Sequence, residues 1–393
     1  MDKQSILIFG VGELQESIIK RAKNMGLYVV GIDPCVNAAC KNEVDVFEVV
    51  DGQDYEATLR VARKYDVKAV ITAATDKPLV MMARVAKELG LRFYSEETAK
   101  WSTDKFQMKE RFMKYGIPCA RGRIIKHANE ASDLDFPLIL KPRDNSGSRG
   151  VILCHDIQTL RNAMVETLQY TRLDSVLVEE FIEGSEYSIE SVHYDGKSEV
   201  IQFTEKRTTP FPYNVELGHI QPANLSKEQK KAIRNLIAKI GEALKFEYCA
   251  SHTELKINQR GIYIIETSPR LGGDYITSTL TPLSTGVNIE DLLLHIALGE
   301  NVDYQLTNSS YSGIRFFAFD TNRIVKATPD KSVVLGWPHV VDYSLRLTEN
   351  DQVNIISSSL NRYGHLILKT TNRKSMDEAF EKYENIIKDI CLK

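Results

Sequence analysis

The sequence predicts an α/β unit on a parallel sheet at the N-terminus, followed by α+β units made of hairpins and amphipathic helices. Three observations predict it. Over roughly the first ninety residues, short apolar runs alternate with amphipathic segments, the pattern of a parallel sheet covered on both faces. Beyond residue 120 the order changes to clustered short strands with single helices between them. The length, 393 residues, exceeds one ordinary core and implies two or three domains.

The elements read in order as follows. SILIFGVG, 5–12, is a strand ending in glycines, and 13–26 is a helix with Leu14, Ile18, Ala22 and Met25 on one face. LYVVGID is a second strand, 55–66 a helix, 67–76 a strand and 78–90 a helix. Asp76 follows a strand end, where such sheets bind ligands. STDKFQMKERFMKYG, 102–116, is a helix with Ser102 or Thr103 as N-cap, stopped by IPCA. Short strands and one helix (157–171) fill 121–190, and 191–224 reads as strand plus a long proline-bearing loop. Residues 226–244 form an amphipathic helix; a hairpin, a helix at 288–300, further strands and a final helix from 375 complete the chain.

Composition excludes several function classes. With 43% hydrophobic residues, 26% charged residues and a net charge of −3, the chain has no basic footprint for nucleic acid or membrane surfaces. No apolar run reaches the ~18–20 residues of a membrane span, and the N-terminus leads straight into a strand rather than a signal peptide. The six cysteines are scattered without a Cys-x-x-Cys, so zinc and a disulfide framework are not expected and a cytoplasmic location is. Gly10-x-Gly12 resembles the start of a dinucleotide fingerprint, with Asp33 ending the next strand, but position 15 is Gln. The favoured reading is a Rossmann-like scaffold without NAD.

Four features carry chemistry. In ILKPRDNSGSRGV, 139–151, a lysine precedes the glycines, opposite to the P-loop order. Burying Lys141 at a strand end is costly without an anion, and a glycine loop can offer backbone N–H groups to phosphates. The alternative is a surface hairpin with a solvated lysine. Lys105 stands in the first turn of its helix, where the helix dipole does not favour it. In SVLVEEFIEGSEYSIE a strand bends at Glu180, Phe181 and Ile182, leaving backbone groups to read an adenine edge, and the later acid Glu186 suits ribose hydroxyls; the alternative is an acidic surface hairpin.

The fourth feature is TELKINQRGIYIIETSPRLGGD. A three-residue loop at 259–261 pairs 258 with 262 and sets Glu254 opposite Glu266, with Cβ atoms roughly 4.5–5.5 Å apart. Two like charges on an apolar ribbon need a cation, and oxygen ligands near phosphates point to Mg²⁺ or Mn²⁺. The alternative is a pair of exposed edge-strand acids. Ser268 and Arg270 continue the same side, the arginine beside the transferring phosphate.

A lysine in a capped helix, a lysine before a glycine loop, the Glu-Glu-Phe-Ile bend and paired hairpin acids, in this order, resemble the ATP-grasp superfamily. The nearest branch holds biotin carboxylase, carbamoyl-phosphate synthetase and glycinamide ribonucleotide synthetase. The resemblance implies three domains: a Rossmann-like domain at 1–93, a two-lobed ATP-grasp domain at 94–300 with a mobile lid lobe at about 121–183, and a small α+β domain at 301–393 that completes the core. It implies that Lys105 and Lys141 contact the ATP phosphates under the loop bearing Ser146, Gly147, Ser148 and Arg149. It implies that Glu180, Phe181 and Ile182 meet adenine, that Glu186 meets ribose, and that Glu254 and Glu266 hold Mg²⁺. Ser268 replaces the family's usual Asn and is a weaker ligand for a second ion. Lys141, Glu266 and Arg270 are the implied catalytic residues.

The implied reaction is ATP-dependent activation of a carboxylate as an acyl phosphate, which an amine attacks to release phosphate. The implied partners are a small-molecule carboxylate and an amine, with a homodimer common among relatives. Substrate contacts are expected from Lys206, Arg207, Glu216 and His219 in 204–223, from Gly272 and Gly273, and from Asp76. A satisfied structural role for His219 is the competing reading. A glycinamide ribonucleotide synthetase-type purine enzyme is the alternative ligase. An NAD-dependent oxidoreductase and a catalytically silent nucleotide-binding protein are the alternatives outside the ligases.

Overall fold

The computed structural model describes residues 3–211, 214–307, 310–319 and 322–392. The first sheet is parallel, in the spatial order Val46–Val49, Tyr28–Asp33, Ser5–Phe9, Val67–Ile71. Its edge strand, Val46–Val49, is too short and too exposed to stand out in the sequence. Helix Glu16–Asn24 buries Ile18, Ile19 and Ala22, but the preceding turn Glu13–Gln15 is a tighter 3₁₀ turn. That turn rotates Leu14 out of the expected face, and the side chain is 44% exposed.

The helix expected at 102–116 is two helices, Glu96–Thr103 and Lys105–Lys114. The expected caps are corrected: Asp104 is the N-cap, and its carboxylate accepts from Phe106 N and Gln107 N. Ser102 and Thr103 instead donate back to the carbonyls of Thr98 and Ala99 within the preceding helix.

Strands Gly122–Ile125, Val176–Glu180, Leu138–Lys141 and Ile152–Cys154 form a separate antiparallel sheet, with helix Ile157–Thr167 on one face. The central sheet has eight antiparallel strands, in the order Gly261–Ser268, Cys249–Asn258, Ser185–Tyr194, Lys197–Thr208, Glu216–Gln221, Tyr311–Phe316, Gly364–Thr370, Val340–Leu345. Strand Tyr311–Phe316 pairs with Glu216–Gln221, so the sheet continues through residue 300. The long loop expected within 191–224 is corrected: most of it is strand, and only 209–215 connects, of which 212 and 213 lie outside the described residues.

Helix Lys227–Leu244 covers one face of this sheet with Ile233, Ile237 and Ile240, and starts in a Ser226–Gln229 capping box. Gly241 is required there, because a Cβ would meet Ser198 Oγ at 2.4 Å. Helix Ile289–Leu298 lies between the parallel sheet and the central sheet, joining Ile71, Val192 and Ala250 in one apolar cluster. Among the described residues no helix is long and apolar enough to cross a membrane, and all six cysteines are free.

The hairpin register differs from the expected one in an instructive way. Asn258 pairs with Gly261 and Ile257 with Ile262, so the loop is two residues, not three. Leu255 then pairs with Ile264, Ile265 is unmatched, and Glu254 still faces Glu266. A β-bulge thus restores the opposition that a longer loop was expected to create.

Candidate active site

Three cavities meet around the paired acids. The first, about 940 Å³ including space open to solvent, lies between the four-stranded antiparallel sheet and the central sheet. It brings together Lys105, Lys141, the loop residues Ser146, Gly147, Ser148 and Arg149, the bend Glu180–Ile182, Glu186, Lys206, Glu216, Glu254 and Glu266. Ile265 lines it too, because the bulge turns two consecutive residues toward it.

On the side of the four-stranded antiparallel sheet, Lys141 ends its strand and is 4% exposed. The anion its burial demands is Glu179, on the neighbouring strand and in short contact with it. Lys109 Nζ lies 2.8 Å from the other carboxylate oxygen. Burial holds Lys141 below the ordinary lysine range, with Glu179 opposing and Lys109 adding to the shift. Burial pushes Glu179 up, but the two lysines outweigh it and hold the carboxyl low. Neither Glu179 nor Lys109 was singled out from the sequence. Lys105 Nζ donates to Asn145 O at 2.8 Å and lies 3.1 Å from Glu266 Oε2, so it links the glycine loop to the acids. Gly147, Ser148 and Gly150 all adopt positive φ, which closes the loop tightly.

The bend is already partly bonded. Glu180 N donates to Arg121 O, and Phe181 N donates to Pro137 O at 3.3 Å. These two N–H groups serve the fold, while Glu180, Phe181 and Ile182 all line the cavity. Glu180 Oε1 accepts from Arg121 N, and Ile182 is buried. Phe181 packs edge-on to Phe211, with Lys256 Nζ over both rings. Glu186 Oε1 accepts from Asn214 Nδ2 and lies 3.1 Å from Lys256 Nζ.

On the central-sheet side, Lys206 Nζ is 2.9 Å from Glu254 and 3.5 Å from Glu216. Burial would lower Lys206, but Glu254, Glu216 and Glu186 outweigh it and raise the pKa. Burial pushes Glu216 up. Glu254 stays well below the usual range because Lys206 and His252 outweigh its burial. His252 Nδ1 is 2.7 Å from the fully buried Glu190 Oε1, and its Nε2 is 3.5 Å from Glu254 Oε1. Burial opposes its charge, yet Glu190 outweighs it and lifts the histidine to about 9.

The second and third cavities, about 1270 and 1160 Å³, open on either side of Glu266, Arg270, His252 and Arg149, which line both. Arg270 does not stand free. Its guanidinium grips Asp76 through Nε at 2.9 Å and Nη2 at 3.1 Å, and Ser268 Oγ donates to the same carboxylate at 2.5 Å. Asp76 thus ties the parallel sheet to the hairpin, and it also lines the second cavity. Ser268 is likewise turned to Asp76.

The third cavity holds His219, whose Nε2 is 3.3 Å from Asp274 and whose pKa burial lowers. Arg362, missed in the sequence, forks onto Asp274 at 2.7 and 2.6 Å. Gly272 packs against Glu190 and His252, where a Cβ would meet Oε2 and Nδ1 at 2.8 Å; its small size serves that pair. Gly273 lines the third cavity. Arg207 is corrected outright: next to Lys206 on a strand, it points to the other face and lies 3.7 Å from Glu384.

Among the described residues no three His, Cys, Asp or Glu gather as a ready metal cage. Glu254 and Glu266 nevertheless fit two oxygen ligands of a divalent ion, since they face each other and border one cavity, with Lys105 and Lys206 beside them. At the N-terminal glycines, Gln15 plugs the turn: its Oε1 accepts from Gly12 N and its Nε2 donates to Ala73 O. Asp33 accepts from Val11 N. Both side chains are thereby spent on the turn where a dinucleotide would lie.

Two sheets facing a lysine-floored, acid-walled cavity form a site suited to a nucleotide. Comparison with known proteins narrows the kind of site. Residues 134–278 match the ATP-grasp domain family. It is 27% identical over 283 residues to the alanine–anticapsin ligase of Bacillus amyloliquefaciens, covering 64% of this chain and 59% of that protein. It thus spans about three fifths of the length of the curated relatives it matches first. The fold is that of the L-amino acid ligase from Bacillus licheniformis, with a TM-score of 0.85, 19% identity and 98% of each chain covered. It is also that of the biotin carboxylase domain of the Hydrogenobacter thermophilus 2-oxoglutarate carboxylase, solved with MgADP, with a TM-score of 0.72, 19% identity and coverage of 96% and 89%.

Proposed function

We propose that the protein is an ATP-dependent ligase that joins a small-molecule carboxylate to an amine. The observation that carries this reading is the in-register pair Glu254–Glu266, reached by Lys105 and bordering the cavity floored by Lys141. Lys105 and Lys141 meet the phosphates beneath the loop of Ser146, Gly147, Ser148 and Arg149; Ile182 borders the base and Glu186 the ribose. Glu254 and Glu266 would hold a divalent ion, Mg²⁺ or Mn²⁺, which would supply charge neutralisation to the phosphoryl oxygens.

The carboxylate oxygen forms a bond to the γ-phosphorus as the bond to the bridging β-oxygen breaks, and ADP leaves. The amine nitrogen then bonds the acyl carbon, the C–O bond to phosphate breaks, and the amine proton leaves to phosphate or water. Arg270, held by Asp76, stabilises the charge that develops. Closure of the lid sheet excludes water from the acyl phosphate. We assign 1–93, 94–300 and 301–393 as the domains, with the lid at about 121–183.

The test is ADP release across a matrix of carboxylates and amines with Mg²⁺ and ATP. The expected result is ADP formed only when both co-substrates are present, with stoichiometric amide. ATP binding without turnover across the whole matrix refutes the reading.

A further inference from the structure

Helix Lys105–Lys114 carries two lysines one turn apart, Lys105 and Lys109, and neither is solvated. Like charges at that spacing destabilise a helix. Lys105 has a task in the first cavity, where it reaches Asn145 O and Glu266. Lys109 lines none of the three cavities. Its buried ammonium lies 2.8 Å from Glu179 Oε2.

Glu179 is already served by Lys141, which meets its other oxygen. Two ammonium groups therefore share one carboxylate, and the buried trio keeps one positive charge in surplus. A structural ion pair needs one cation, and a second one buried without its own partner costs stability. The Lys109 contact is ionic only: among the described residues, Lys109 Nζ and Glu179 Oε2 make no hydrogen bond. Of the two lysines only Lys141 lines the first cavity. The surplus is thus arranged so that one lysine can meet an anion in the cavity while the other remains on the carboxylate.

The lysine that remains is the one on the better-fixed element. Helix Lys105–Lys114 is bonded to the hairpin of the central sheet: Thr267 N donates to Met108 Sδ at 3.4 Å, and just past the helix end Ile264 N donates to Pro118 O at 2.8 Å. Met108 and Phe112 of the helix are buried in the same apolar cluster as Leu255 and Ile264. Lys141 instead ends its strand next to the glycine loop. Lys109 also disfavours the charge on Lys141, and an anion in the cavity relieves that repulsion.

We infer that Lys109 is a positioning residue for nucleotide binding: it holds Glu179 alone when Lys141 turns its ammonium from that carboxylate to a phosphate oxygen. Without Lys109, the same turn leaves Glu179 buried and unpaired, and phosphate binding must overcome that penalty. Lys109 acts on the nucleotide only through Glu179 and Lys141. The inference rests on the nucleotide site of the ligase reading and deepens it.

The test is calorimetric binding of AMP-PNP with Mg²⁺ to the wild type, to Lys109→Met and to the double variant Lys109→Met/Glu179→Gln. Lys109→Met is expected to raise Kd at least about 10-fold. It keeps Lys141 and Glu179 as a one-to-one pair, and thermal melting checks that it folds. Removing the carboxylate as well removes the penalty, so the double variant is expected to regain most of the lost affinity; a merely structural lysine predicts no such recovery. A crystal structure of the wild type with AMP-PNP and Mg²⁺ tests the inference without any variant. Lys141 Nζ is expected on a phosphate oxygen and more than about 4 Å from Glu179, with Lys109 still in place. A wild-type Kd in Lys109→Met, no recovery in the double variant, or Lys141 still paired with Glu179 in the complex overturns this inference alone. A wild type that does not bind AMP-PNP overturns the nucleotide site and this inference with it.

Discussion

The lid sheet and the central sheet face one cavity with opposite charge balances. On the lid side two buried lysines, Lys109 and Lys141, share one carboxylate, Glu179, and all three are under 5% exposed. On the central side Glu186, Glu216, Glu254 and Glu266 outnumber Lys206 and Lys256. Each face is unbalanced alone, and together they suit an occupant that is anionic toward the lid and cationic toward the sheet. A polyphosphate with a divalent ion has that polarity. The same comparison shows why Lys141 can be buried before any ligand arrives: its counter-charge is built into the next strand.

The difference can be broken from either side. Removing the acid side with Glu266→Ala is expected to cut kcat about 10³-fold, read as ADP release under saturating substrates. Glu266→Gln, which keeps shape and loses charge, should fall nearly as far. Breaking the lid side with Glu179→Gln leaves two ammonium groups buried without a counter-ion. The expected loss is about 3–5 kcal/mol in denaturant unfolding, more than Lys141→Met costs, because Lys141→Met leaves Glu179 with Lys109.

A smaller effect contrasts the cavity face of the central sheet with its helix-covered face. His193, beneath helix Lys227–Leu244, is fully buried between Ser198 Oγ and Ser251 Oγ, and burial holds it at about 3. The unfolded chain binds this proton near the ordinary value of 6.5, so the contribution is intact above pH 6.5 and lost as pH falls. Stability should drop by about 2 kcal/mol from pH 7 to pH 5 on this account, and His193→Gln should flatten that part of the melting curve. The smallest effect is expected of Arg207→Ala, on the far face from Lys206. It should change kcat/KM for ATP by less than about twofold and stability by less than ~0.5 kcal/mol.

The parts of this molecule that were legible in its sequence are those set by local period or by a turn. Strand–helix alternation gave the parallel sheet, and the hairpin was legible too, although a bulge at Ile265 rather than the turn sets Glu254 opposite Glu266. The helix break at Asp104 was hidden because Ser102 and Thr103 are equally good caps on composition alone. The strand Lys197–Thr208 was hidden because its outer half is charged and runs into a proline. What no spacing could reveal are partners fixed by tertiary contact. Glu179 beneath Lys141 and Arg362 on Asp274 are side chains 38 and 88 residues apart, and only the finished fold brings them together.

One unmatched residue has an outsized consequence. Cross-strand neighbours share a side of the sheet, so without Ile265 as the odd member Glu266 would fall opposite Thr253, under the helix layer rather than over the cavity. A hairpin that kept Ile265 but paired without the bulge would keep every letter of the acidic signature and lose its parity. The second carboxylate would then turn toward the apolar layer that Leu255 and Ile264 join. Counting matters here as much as chemistry.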